Sequence, residues 1–356
     1  MGKMMKHLAA LGILAFIFAG FQTAGAVDLK GDVRIRFEHT ETTDKADRDR
    51  LRFRLRYGFE ADVNETTHVG VRLASGSPQP TSANQTMTDS FSSKALWIDR
   101  AFIKYAPGAA YSLTAGKFAN PFMRTDMTWS GDVSPEGIVL HADSPAGQFV
   151  TLGVLPLAEF SGTTRDPHIL ALQAGTKLGA NARAAAAYYH FNYIKGNTVE
   201  SISPFAARRN NTFVENEDGD MVYAYDYRVL DLNLQYDTEV DMGHNVIPVR
   251  LFGNYITNIA SDVSEDSGML IGMSAGSVKN RGDMAFGYRY ADVDADATAA
   301  FLPEDQLRTN QQQHKIGFTY GLSKASNLNL TLYTGSPKAG GGPNVNIWMV
   351  NYAVKF

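Results

Sequence analysis

The 356-residue chain contains no cysteine. A chain of this size must then be held together without disulfides, by packing and by its own backbone bonds. No stretch after Val27 is apolar enough to cross a bilayer as a helix, which takes roughly 20 apolar residues. Any membrane crossing must be made by strands, whose backbone groups are satisfied in lipid only when the sheet closes on itself. A positive charge excess is missing too. The 33 Lys+Arg face 37 Asp+Glu, and removing Lys3 and Lys6 leaves 31 against 37, a net charge of −6. That excludes a broadly basic nucleic-acid binder.

Catalytic and metal signatures are equally scarce. Beyond residue 26 the histidines are His39, His68, His141, His168, His190, His244 and His314. None stands in His-x-x-x-His spacing or beside a Gly-x-Ser-x-Gly elbow, and no phosphate-cradling glycine motif occurs. Asp292, Asp294 and Asp296 open like a calcium loop. Ala297 stands where that loop needs glycine, however, and Pro303 where it needs glutamate. The run reads as a solvated external loop, as does Asn216-Glu217-Asp218-Gly219-Asp220. No metal, cofactor or enzymatic activity is expected.

The first 26 residues read as an address. Lys3 and Lys6 form a basic start, Leu8 to Gly20 is a short apolar run, and Ala24-Gly25-Ala26 supplies the small residues of a cleavage site. The mature chain is expected to begin at Val27, with residues 27–356 forming one domain.

What that domain does have is alternation. From Arg50 to Val63, Leu51, Phe53, Leu55, Tyr57, Phe59, Ala61 and Val63 point one way, and Arg50, Arg52, Arg54, Arg56, Gly58, Glu60 and Asp62 the other. The same period recurs at Val33–Phe37, Leu230–Tyr236, Ile247–Tyr255, Met284–Tyr290 and Ile316–Leu322. Strands in soluble sheets run about five or six residues, whereas tilted strands that cross a bilayer need about nine to eleven. Arg50–Val63, Ala182–Tyr193 and Gly268–Val278 are long enough to cross. Short turns, such as Asn64–Thr66, Pro107–Ala110 and Leu178–Asn181, with a somewhat longer one at Asp237–Asn245, alternate with long polar loops. The long ones are His39–Asp49, Ser75–Lys94, Ala119–Pro135, Pro156–Pro167, Ile194–Met221, Asn258–Ser267, Asp294–Gln312 and Thr334–Pro343. Together these predict an all-β transmembrane antiparallel barrel of about 16 strands in the bacterial outer membrane, with short periplasmic turns, long external loops and both termini periplasmic.

Arginine on the lipid face costs roughly 2–4 kcal/mol at the midplane. The basic ladder must therefore face the lumen. Arg34, Arg36, Arg50, Arg52, Arg54, Arg56 and Arg72, with Arg100 and Lys104 on the next strand, are expected to form a basic wall. Glu60 and Asp62 are the local acids that could instead simply neutralise it. Tyr57, Phe59, Tyr105, Tyr236 and Tyr352 suit interfacial girdles.

On the last strand Trp348, Val350, Tyr352, Val354 and Phe356 share one face, and this aromatic terminus resembles the assembly signal of outer-membrane barrels. Ile98-Asp99-Arg100-Ala101-Phe102, Leu113 to Phe122 and Ser134-Pro135-Glu136-Gly137 resemble stretches of the bacterial outer-membrane putative-porin family, and the resemblance runs through the mature chain. It implies a water-filled channel for passive diffusion of small hydrophilic solutes and ions. It also implies a homotrimer, contacts with outer-membrane lipid and lipopolysaccharide, and delivery by the barrel-assembly machinery. The third external loop would fold inward and set Asp126, Asp132 and Glu136 against the arginines, although it lacks the Pro-Glu-Phe-Gly-Gly signature of enterobacterial porins. The basic wall implies an anion preference. A substrate-specific channel, or a non-conducting structural or adhesin barrel relying on Ile194–Met221, shares the fold. A barrel hydrolase would pair a serine with His190 at the lipid face.

Overall fold

The computed structural model describes residues 28–163, 165–203, 210–243, 245–260, 262–338 and 342–356, so the expected leader (1–26) lies outside the described residues. In chain order the strands are β1 (Asp28–Thr42), β2 (Arg48–Asp62), β3 (Thr67–Ala74), β4 (Gln85–Thr86), β5 (Trp97–Tyr105), β6 (Tyr111–Lys117), β7 (Glu136–Asp143), β8 (Phe149–Pro156), β9 (His168–Leu178), β10 (Ala182–Asn192), β11 (Phe213–Glu215), β12 (Met221–Tyr223), β13 (Tyr227–Asp241), β14 (Val246–Asn258), β15 (Ser267–Gly276), β16 (Met284–Val293), β17 (Gln311–Gly321), β18 (Ser326–Pro337) and β19 (Val345–Lys355). A single helical turn, α1 (Val199–Ile202), precedes β11.

β4 adds one short pairing to β2 beyond the end of β3, and β11 and β12 form a hairpin inside a long loop. The other 16 strands pair antiparallel in sequence order, and β19 pairs back onto β1. The result is a closed barrel with no free edge, as a sheet in lipid requires. Closure is completed by Phe356, whose amide donates to Gly31 O at 3.0 Å while Gly31 N–H donates to Phe356 O at 2.8 Å. The Phe356 ring lies over Gly31, where a Cβ would come within 2.4 Å of it, and stacks on Tyr57.

Period-two alternation becomes two surfaces. Val33, Ile35, Phe37 and Leu51 are exposed on the outside, with Leu230, Leu232, Leu234, Trp348, Val350 and Tyr352. Two connections differ from the sequence expectation. The first loop shrinks to 43–47 because His39↔Asp49 and Thr40↔Arg48 continue the β1–β2 ladder. Likewise β13 runs to Asp241, opposite Val246, so the ladder takes in most of that connection. Polar composition alone does not end a strand whose backbone bonds still find partners.

The third long loop (118–135) turns inward, and its flanking glycines show why. Gly116 and Gly137 face each other in register, with φ of 113° and 136°. A Cβ at either would come within 2.3 Å of a neighbouring carbonyl. Only glycine tolerates this conformation so close to another backbone. Phe118 N–H donates to Pro135 O at 3.0 Å and closes the loop base.

The interior is not uniformly wet. Val139, Leu155, Ile169, Ala187, Tyr189, Phe191, Val229, Ile256 and Leu270 point inward and are buried. Phe118, Phe122, Met127 and Trp129 of the third loop and Phe301, Leu302 and Leu307 of the seventh (294–310) pack on them as one core. Trp129 and Phe122 both lie against Tyr189, at 5.6 and 5.4 Å between centroids. Half of the lumen is thus filled by folded loops packed on an apolar wall. The other half, β1–β5 with β17–β19, carries the charged and polar lining, interrupted by a small apolar cluster of Tyr333, Val345, Ile347 and Met349.

Candidate functional site

The polar half is built from the β1–β2 register. Asp32, Arg34, Arg36 and Glu38 of β1 stand opposite Arg56, Arg54, Arg52 and Arg50 of β2. Like charges directly opposed on one face repel, and here two arginine pairs sit between two acids. Glu38, with a side chain of 0% exposure, accepts from Arg36, Arg50 and Arg52. Asp32 accepts from Arg54 at 2.6 and 2.9 Å and from Arg56 at 2.7 Å. Glu60 and Asp62, the neighbours in sequence, do not make these bonds: Asp62 pairs with His68 at 2.8 Å. Asp32 and Glu38 share the inward parity of Arg34 and Arg36, so this partnership was readable from β1 once register was known.

The remaining basic residues separate into distinct settings. Arg34 donates to Asn84 Oδ1 of the second long loop (75–96) at 2.6 Å, and Arg52 to the Asn84 carbonyl at 3.2 Å. Arg72 pairs with Asp99, while Arg100 donates to Ser134 Oγ at 3.2 Å. Lys104 lies deeper, in a recess of about 630 Å³ at the short-turn end that it shares with His68 and His141. Arg36 also donates to Asn351 at 2.6 Å, which continues the polar lining through Asn329 and Thr331.

The three loop acids diverge. Asp132 faces the ladder, with its Oδ1 3.5 Å from Arg56 and 3.9 Å from Arg54. Asp126 is carried across the barrel to Arg289 (2.8 Å) and Lys315 (3.3 Å). Glu136 stays at the loop base and pairs with Lys117 at 2.7 Å. A wall of arginines opposed by three acids is therefore corrected to an opposition through Asp132. The reason is the length of the loop, which spans the lumen and brings different residues to opposite walls.

Anchors along the loop fix that span. The Met123 backbone exchanges two bonds of 2.7 Å with the Gln173 side chain on β9, and Thr125 Oγ1 donates to Asn254 on β14 at 2.5 Å. Interior desolvation pushes the Asp126 carboxyl up, but Lys315 and Arg289 outweigh it and hold the group well below the ordinary carboxylate range. Glu304 of the seventh loop joins the same cluster, accepting from Arg289 (2.6 Å), Lys315 (2.9 Å) and Tyr333 (2.9 Å). Sequence reading missed this second cluster. Arg289 and Lys315 had the inward parity, but nothing local marks Glu304 as their partner.

Asp292, Asp294 and Asp296 do not converge on one point. Lys338 Nζ bridges Asp292 and Asp294, and Asp296 accepts from Tyr227 Oη at 2.9 Å. His190 faces outward beside Tyr188, and no serine hydroxyl bonds it among the described residues. At the terminus, Phe356 is exposed and Val354 half-buried on the outer face.

The chain matches no curated protein. Among solved structures, OprB of Pseudomonas putida superposes with a TM-score of 0.61 at 12% identity, over 93% of this chain and 94% of that one. A triple mutant of the Rhodopseudomonas blastica porin gives 0.52 at 12% identity, over 93% and 100%. OmpT of Vibrio cholerae, folded in vitro and in its trimer form, gives 0.51 at 12% identity, over 94% and 100%. These likenesses are of fold. The family described as Putative porin matches residues 21–216, more than half of the chain. With its closed 16-strand barrel, inserted loop and charged lining, the chain belongs to that family and is a porin-type outer-membrane channel.

Proposed function

We propose that the chain is a passive, non-enzymatic channel for small hydrophilic solutes and ions, with a preference for anions. The observation that carries this reading is the juxtaposition of the β1–β2 arginines with Asp132 on the inserted loop. Eight arginines and Lys104 share this side of the barrel with Asp32, Glu38, Glu60, Asp62, Asp99 and Asp132, so positive charge is in excess. Charged linings of one sign set ion preference. The packed core of the third and seventh loops favours a narrow passage displaced toward β1–β5.

Long loops outward, short turns and both termini toward the periplasm, and a cleaved leader complete the proposal. The exposed outer row of β19 ending at Phe356 supports recognition by the assembly machinery. A homotrimer is the assembly we propose, in keeping with the trimer form of OmpT. Single-channel recording of the refolded mature protein in a planar bilayer under a salt gradient tests the core of the reading. Discrete ohmic steps reversing toward the chloride potential are expected. A folded barrel that never conducts would overturn the channel, and reversal toward the potassium potential would overturn the anion preference.

A further inference from the structure

We propose that Arg228, with His190 and His168 beside it, binds the phosphate of a lipid headgroup at the long-loop end of the barrel wall. On β13, Tyr227, Val229 and Asp231 are buried inside, while Arg228 shares the outward face with the exposed Leu230, Leu232 and Leu234. Among the described strands, two lysine or arginine side chains have this outward parity. Lys117 is paired with Glu136 at 2.7 Å. Arg228 has no carboxylate within ion-pair distance among the described residues, and Asp226, two positions earlier, accepts the Lys195 amide at 3.2 Å.

An arginine on the outer face of a barrel is tolerated only near the membrane interface. Arg228 meets that condition as the second residue of β13, at the long-loop end. Register places His190 of β10 directly across from it, and His168 of β9 across from Asn192, both with outward parity. Adjacent strands are about 4.8 Å apart, so Arg228 and His190 lie within reach of one phosphate, with His168 one strand further on. Tyr188 and Tyr193 flank the histidines, at 6.1 and 5.9 Å between ring centroids, as interfacial aromatics do. A guanidinium presents paired donors that match phosphate oxygens.

The occupant is a lipid because of what lies below. Toward the membrane centre the same face continues as Leu230, Leu232, Leu170 and Leu172, an exposed apolar surface for acyl chains. Phosphate above and hydrocarbon below is the profile of a phosphorylated membrane lipid and not of a soluble anion.

The site rests on the barrel being embedded in lipid and not on its conducting. Native mass spectrometry of the full barrel in mixed micelles with diphosphoryl lipid A tests it, with folding checked by heat-modifiable gel migration. Arg228→Gln is expected to weaken retention about tenfold. Arg250→Gln, which removes an inward-facing cation, is expected to leave retention unchanged. Arg228→Lys keeps the charge, gives an intermediate loss and serves if the glutamine variant misfolds. Lipid A stripped of its phosphates should bind wild type and Arg228→Gln alike. Equal retention of diphosphoryl lipid A by wild type and variants would overturn the site. Displacement of the lipid by equimolar inorganic phosphate would overturn its assignment to a lipid. A barrel silent in bilayers that still retains lipid A would sink the channel reading alone.

Discussion

The backbone amide of Glu304 donates to the carbonyl of Asp126 at 2.9 Å, joining the seventh long loop to the third inside the barrel. Their carboxylates neutralise the same two cations, Arg289 and Lys315, on adjacent strands. Neither loop is placed by its glycines and apolar side chains alone. Each is held by charge that the barrel wall presents, and each completes the neutralisation that the other leaves partial.

Replacing Glu304 by Gln leaves Arg289, which is almost fully buried, with Asp126 alone to balance it and Lys315. Removing one partner of a buried ion pair costs about 3 kcal/mol. The seventh loop should release first, since the Asp126–Gln173–Asn254 side retains its own bonds. We expect a lower unfolding midpoint in detergent and larger, noisier conductance steps. Unchanged step size and noise would show that this loop does not narrow the passage.

Asp132 is the acid that the third loop sets within 4.0 Å of ladder arginines. Asp132→Asn leaves Asp32 as the carboxylate shared by Arg54 and Arg56. The reversal potential under a salt gradient should then move toward chloride, with little change in stability because the loop keeps its apolar packing. A reversal potential equal to wild type would remove Asp132 from the selectivity lining.

Glu38 has a fully buried side chain and three arginine partners. Its replacement by Gln strands three guanidinium groups facing one another, at a cost of about 3–5 kcal/mol. Arg50→Gln removes one partner of three and should cost distinctly less. Urea unfolding of the two variants, followed by tryptophan fluorescence, checks the order; a reversed ranking would mean that Glu38 is not the hub of the ladder.

Acid should reveal the anchor at Asp126. Its folded pKa lies below the ordinary value because Lys315 and Arg289 outweigh desolvation. A depressed carboxylate contributes stability that is fully present above the unfolded pKa of about 3.9, and that contribution is lost as pH falls toward the folded value. The gap in unfolding midpoint between wild type and Asp126→Asn should therefore stay level from about pH 8 to pH 5 and shrink below about pH 4. A gap that closes near neutrality would contradict the ion-pair anchor.

The alternation of Leu51 to Phe59 with Arg50 to Arg56 determined, without any coordinates, that these residues form a strand and which face meets lipid, because side chains on a strand have a period of two and guanidinium is costly in hydrocarbon. The same logic, repeated with long loops and short turns between, carried the barrel, its 16 strands and the basic wall. Parity is a local property, and a single sequence states it openly. What parity cannot state is register across strands or the path of a loop. Only the closed barrel decided that Glu38 and Asp32, not Glu60 and Asp62, neutralise the arginines. It also decided that Asp126 and Asp132, six residues apart, meet opposite walls, and that Glu304 arrives at Arg289 from another loop. Those contacts join residues far apart in the chain, and their energy appears only when the sheet has closed and the lumen gives both loops one shared interior.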